Sequence, residues 1–202
     1  MTTDVKDRVS KEAAILLYFG AEKEFKQAKT RAAKTLGYHI LPSNRQVALE
    51  LDKIAEENEG AQRKERLVEM RKEALDLMKL LRTYSPVLIG SVWRGTARVG
   101  SDIDIAVYTD EPQKVGNLLK AEGVRIQKEC WTTVNKHGKT LASLHVYAEN
   151  SKRHVLEIVV RSVEEANAKR KCEIFGDEMK GLKIKELEKV LQNNPAQKFI
   201  PV

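Results

Sequence analysis

At Pro86 the hydrophobic period of this 202-residue chain changes from 3.6 to 2, and no single class of secondary structure accommodates both halves. Upstream, Val9, Ala13, Leu16, Leu17, Phe25, Ala28 and Ala32 recur at helical spacing and predict one long helix over residues 5–36, ended by Gly37. Ser43-Asn44-Arg45-Gln46 fits a capping box and opens a second helix through Val47, Leu49, Leu51 and Ile54, broken at Glu59-Gly60. A third helix follows over residues 61–83, with Leu67, Met70, Ala74, Leu77, Met78 and Leu81 on one side. Downstream, strands are expected over residues 87–90, 102–108, 125–134, 140–149 and 153–161, with turn signals at His137-Gly138 and Asn150-Ser151-Lys152. Short helices are expected over residues 91–97, from Pro112 through residues 115–122, and from Val163 onward, broken at Gly176 and Gly181 and finishing over residues 185–192. The expectation is an α+β chain. A helical region of about three helices occupies residues 1–84; a mixed, largely antiparallel sheet backed by helices, with C-terminal helices, occupies residues 85–202.

Composition sets the surroundings of that fold. Hydrophobic residues at 42% support a real core, and charged residues at 32% a well-solvated surface. No apolar run approaches the roughly 20 residues that span a bilayer, so no membrane contact is expected. The short run AAILLYFG at residues 13–20 reads as a helix core stripe rather than a signal peptide. Cys130 and Cys172 stand far apart with no CxxC partner, which argues against a disulfide framework or structural zinc and for a reducing cytoplasm. A net charge of +7 favours an anionic partner, a nucleotide or a nucleic acid, although the charge is spread and no block of five like charges occurs.

The chemistry concentrates in residues 88–107, LIGSVWRGTARVGSDIDIAV. Gly90-Ser91 closes an apolar run, and Ser101-Asp102-Ile103-Asp104 opens the next strand. A strand alternates its side chains, so Asp102 and Asp104 point the same way, roughly 6.5 Å apart. Two like charges at that spacing call for a counter-ion, and a divalent cation serves both. The later strand places Glu157 among apolar neighbours, with Arg161 on the same face, while Leu156, Ile158 and Val160 face the helices. If the two strands are neighbours, three carboxylates converge on one open face. That arrangement suits two-metal phosphoryl transfer, in which ions about 3.5–4 Å apart stabilise the attacking and leaving oxygens.

The ordered set Gly90-Ser91-x-x-Arg94-Gly95-x-Ala97-x-x-x-Ser101-Asp102-Ile103-Asp104, followed by an apolar-Glu157-apolar step, resembles the nucleotidyltransferase superfamily related to DNA polymerase β, and most of all its small prokaryotic minimal members. The resemblance covers residues 86–161 and leaves the N-terminal helices unexplained. It implies transfer of a nucleoside monophosphate from an NTP to an acceptor hydroxyl, with release of pyrophosphate. It implies Asp102, Asp104 and Glu157 as catalytic residues and ligands of two Mg²⁺ ions, Glu157 also as a candidate acceptor of the hydroxyl proton. Gly90, Ser91, Arg94 and Ser101 fall to the nucleotide: Gly90 for close backbone approach, Ser91 for a phosphate at a helix N-terminus, Arg94 to hold the motif loop or touch phosphate.

The acceptor is open: an RNA 3′ end, a small molecule, or a side chain of a partner protein. A non-catalytic nucleotide- or nucleic-acid-binding regulatory module on the same fold, and a protein adenylyltransferase, are the alternatives. The plainer roles are Asp102 as a helix or turn cap, Asp104 as an ion-pair partner and Glu157 as an edge-strand charge. His145 is expected to be a surface or hydrogen-bonded histidine rather than a ligand, and Trp93 and Trp131 packing residues.

Overall fold

Alanine decides how the chain begins. In the computed structural model, which describes residues 2–136, 139–149 and 154–201, the region expected as one helix is two: α1 (Thr2–Tyr18) and α2 (Phe25–Thr35). Ala13, Ala14, Ala28 and Ala32 are fully buried in one cluster with Val9 and Leu17. Methyl side chains let two helix backbones approach closely, and a single rod over residues 5–36 would leave that stripe in water. The chain instead reverses at Gly20, whose φ of +71° suits glycine. Gly37 ends α2, as expected.

The capping box forms as expected. Gln46 N donates to Ser43 Oγ (3.2 Å), and Ser43 N donates to Gln46 Oε1 (2.9 Å). α3 (Asn44–Leu80) follows, interrupted at Gly60, where φ 53° and ψ −132° leave helical space at the expected break. Val47 and Ile54 complete the first core cluster. Arg63 is 3% exposed and pairs with Asp52 and Glu56.

Two compact units result. The first comprises residues up to Arg63 with Lys171–Glu178 and Pro201; the second comprises Lys64–Arg170 with Met179–Ile200.

The second unit is built on a six-stranded sheet: β1 (Val87–Ile89), β2 (Ile103–Tyr108), β3 (Arg125–Lys136), β4 (Lys139–Glu149), β5 (Val155–Arg161) and β6 (Leu182–Lys183). The spatial order is β3-β4-β5-β2-β1-β6, with β2 and β5 parallel and the other pairs antiparallel. The fold is therefore α+β with a mixed, mostly antiparallel sheet. One face carries Leu88, Ile103, Ile105, Val107, Leu144, Val146, Leu156, Ile158 and Val160. It forms one buried cluster with Leu67, Met70, Ala74 and Met78 of α3, Val92 and Trp93 of α4 (Gly90–Arg94), Val115 and Leu119 of α5 (Pro112–Ala121), and Leu187 of α6 (Ile184–Asn193).

The structure departs from expectation at three further points. The helix expected to resume at Val163 is only a 3-10 turn, Val163–Asn167, and residues 168–181 are irregular. The stretch is rich in good helix formers but offers no apolar stripe to bury, and short helices need one. β6 was not expected at all: its two residues are too few to show a period. The third helix closes at Leu80, and a 3-10 turn over Arg82–Tyr84 takes the chain to β1. The expected turns at His137-Gly138 and Asn150-Ser151-Lys152, and Arg153 at the head of the fifth expected strand, lie outside the described residues. Among the described residues no helix is long and apolar enough to cross a membrane.

Candidate active site

Sheet register brings the acids together. β1 sets Ile89 opposite Asp104, and β5 sets Glu157 opposite Asp104 from the other side. Gly90 therefore follows directly on the residue paired with Asp104. A Cβ at position 90 would lie 1.8 Å from Asp104 Oδ2, so the carboxylate rests against bare glycine backbone, and φ of +70° there independently favours glycine. Asp102 immediately precedes β2, two residues from Asp104 and on its side by strand alternation.

This crowding shows in the proton affinities. Burial, the charges of Glu157 and Asp102, and a hydrogen bond with Glu157 hold Asp104 well above the usual carboxylate range. Burial and the Glu157 charge also raise Asp102.

Glu157 has further partners that the sequence did not reveal. His145 Nδ1 lies 2.6 Å from Glu157 Oε1, each side chain 20% exposed, and His145 Nε2 lies 2.8 Å from Thr132 Oγ1. Tyr147 sits opposite Glu157 in the β4–β5 register. Burial, a hydrogen bond to Glu157 and the Glu157 charge push its phenol up to about 12. The His145 and Tyr147 rings stack with centroids 6.4 Å apart. The alternation Ser143-His145-Tyr147 could have placed His145 on a sheet face, but only the β4–β5 register shows which acid it meets.

The Gly-Ser turn is braced from beneath. Arg71 of α3 is fully buried and donates to four carbonyls: Val92 (3.1 Å), Trp93 (2.9 Å), Pro195 (2.7 Å) and Gln197 (2.8 Å). It thereby ties α4 to the C-terminal tail, and its own pKa falls to about 10 through burial. Arg94, 5% exposed, donates to Phe199 O (2.8 Å), accepts Phe199 N–H at its own carbonyl (2.8 Å), and lies 4.1 Å over the Trp93 ring. Gly95 faces the same tail so closely that a Cβ would meet Gln197 O at 2.6 Å. Arg94 thus sits under the motif loop, packed against the tail.

The remaining motif residues are placed as follows. Ser91 lies in α4, partly buried, next to Gly90. Ser101 Oγ accepts a hydrogen bond from Arg98 N (3.0 Å) and Ser101 N donates to Arg98 O (3.0 Å), closing the turn before Asp102. Arg161 shares the face of Glu157 and hydrogen-bonds Tyr108; burial and the Arg170 charge lower its pKa.

The donor set consists of carboxylate oxygens, anionic and hard, which suits Mg²⁺ or Mn²⁺ rather than a thiophilic ion. Among the described residues no group of three or more His, Cys, Asp or Glu side chains forms a ready-made metal cage.

Comparison with known proteins follows the same line. The profile of the nucleotidyltransferase domain family matches residues 67–194, more than half of the chain. No curated protein matches the sequence. Among solved structures, a poly(U) polymerase Cid1 H336N mutant bound to MgATP is 18% identical, with 48% of this chain and 32% of that chain covered and a TM-score of 0.32. The structure of the GLD-2/RNP-8 complex is 14% identical, with 48% and 33% covered and a TM-score of 0.33. The chain spans about a third of the length of either. The matched family span runs from α3 through α6 and takes in every acid of the site, and the chain belongs to the nucleotidyltransferase domain family, within the superfamily related to DNA polymerase β.

Proposed function

We propose that the chain is a Mg²⁺-dependent nucleotidyltransferase that moves a nucleoside monophosphate from an NTP to an acceptor hydroxyl and releases pyrophosphate. One observation carries this reading: Asp104 and Glu157 stand side by side across β2 and β5, against the bare backbone of Gly90, with Asp102 close enough to raise the stakes of their charge. Isolated carboxylates buried this closely are unfavourable by several kcal/mol without a cationic partner. Bound Mg²⁺, two ions by the proposal, would supply that charge, and with it a lower pKa for an acceptor hydroxyl and charge compensation for pyrophosphate.

The chain's own residues divide the remaining work. Asp102 and Asp104 would hold the metal. Glu157 would add a carboxylate oxygen and is the candidate to take the hydroxyl proton. The backbone amides at Gly90 and Ser91, with the Ser91 hydroxyl, receive a phosphate that Gly90 alone allows so near. Ser101 sets the turn that delivers Asp102. Arg94 serves the nucleotide indirectly, by holding α4 against the tail.

The test is transfer of label from α-labelled NTP in Mg²⁺, with RNA, small hydroxyl compounds and protein offered as acceptors. Wild-type protein should label one class, and the Asp102→Ala/Asp104→Ala double variant none. Equal labelling by the two proteins would sink the catalytic assignment.

A further inference from the structure

We infer that His145 is the positioning residue of this site: it fixes the Glu157 carboxylate in the orientation that leaves one oxygen beside Asp104. The inference rests on the metal-dependent reading proposed above and goes beyond it by naming a residue that makes the site work without touching substrate.

A glutamate ends three rotatable bonds, and an unheld carboxylate on a sheet face samples several rotamers. Glu157 is not unheld. Its Oε1 lies 2.6 Å from His145 Nδ1, and the imidazole is itself fixed by Thr132 Oγ1, 2.8 Å from Nε2, and by stacking on Tyr147. A carboxylate oxygen accepts, so Nδ1 donates to Glu157, and Nε2 is left to bond the Thr132 hydroxyl. A chain of side chains therefore crosses four neighbouring strands, from Thr132 on β3 through His145 on β4 and Glu157 on β5 to Asp104 on β2. Partners that orient a metal-binding carboxylate from behind typically set metal affinity or activity by 10- to 100-fold.

The experiment measures Mn²⁺ dissociation by electron paramagnetic resonance on the full chain without nucleotide, with thermal unfolding alongside. His145→Ala should weaken Mn²⁺ about 10-fold, whereas His145→Asn should stay within about threefold of wild type because its amide nitrogen falls where Nδ1 lies. Thr132→Val, which loosens the ring and spares the imidazole, should fall between them. Wild-type affinity in His145→Ala, or an Asn variant as weak as Ala, overturns the inference. If His145→Ala fails to fold, Asn and Thr132→Val decide it: wild-type affinity in Thr132→Val, or severe weakening in Asn, overturns it. Loss of Mn²⁺ in Asp104→Ala but not in His145→Ala overturns this inference alone; a wild-type chain that binds no Mn²⁺ overturns the metal-dependent reading and this inference with it.

Discussion

On one face of the second unit's sheet, Leu88, Ile105, Ile158 and Val146 are fully buried and packed under helices. One residue away on the same strands, Ile89, Asp104, Glu157 and Tyr147 face the other way, and three of the four are polar. Both faces come from the same backbone and the same hydrogen-bond ladder. The aliphatic face is satisfied by the fold itself; the acidic face is satisfied only in part, by an imidazole and a phenol. A one-residue slip of any strand would exchange the two, so the buried face fixes the register and the register assembles the acids.

The largest effect should come from breaking the acidic face. Asp104→Asn is expected to lower nucleotidyl transfer about 10³-fold, because it removes the charge at the centre of the site. The same change should stabilise the metal-free protein by about 1 kcal/mol, a rise in Tm of about 2–4 °C, since it relieves repulsion with Glu157 and Asp102. Calorimetry in chelator and a labelled-NTP assay read the two effects. A variant that loses activity and stability together would show that Asp104 supports the fold, and would remove the contrast between the faces.

The matching change on the other face is Ile158→Ala, one residue from Glu157. It should cost about 3 kcal/mol of stability through the cavity it leaves, and leave the turnover of folded protein within about threefold of wild type. Denaturant unfolding and kcat at a temperature below both transitions check it. A large fall in kcat would mean that the aliphatic face also holds the acids in place.

Gly90→Ala sits between the two. Its Cβ would lie 1.8 Å from Asp104 Oδ2 in a backbone with φ of +70°. Moving the carboxylate and straining the backbone should cost about 1–3 kcal/mol and a larger share of activity than of stability. A crystal structure of the variant would show Asp104 displaced from the glycine; an unmoved Asp104 with full activity would dismiss the cradle.

How much of this was legible beforehand follows the same division. The acids were legible because polar residues inside apolar alternation stand out: Asp102, Asp104 and Glu157 were singled out from their neighbours, and the parallel pairing of β2 with β5 sets Asp104 opposite Glu157. Their supports were not. Nothing in the sequence sets Arg71 apart from the other charges of its helix, yet it is fully buried and bonds four carbonyls, two of them beyond residue 190. His145 could not be linked to Glu157 without a register that spans a 12-residue separation. The α1–α2 reversal was hidden because alanine reads as a helix former and only secondarily as a close-packing surface.

The smallest effect belongs to Trp131, which the sequence suggested as a packing residue and which is 56% exposed. Trp93 does pack, at 4% exposure, under the Arg94 guanidinium. Strand length explains the difference. Trp131 pairs with Leu144, and Leu144 with Val160 is where the β4–β5 ladder ends, so β3 and β4 run on beyond it as a two-stranded ribbon. Trp131 has the facing of the aliphatic side but stands at the limit of what that side covers. Trp131→Ala should therefore shift stability by less than about 0.5 kcal/mol. The tryptophan emission lost in that variant should be the red-shifted, acrylamide-quenched component, leaving the shielded Trp93 signal. A loss of 2 kcal/mol or more would place Trp131 inside the packed face and extend that face past the end of β5.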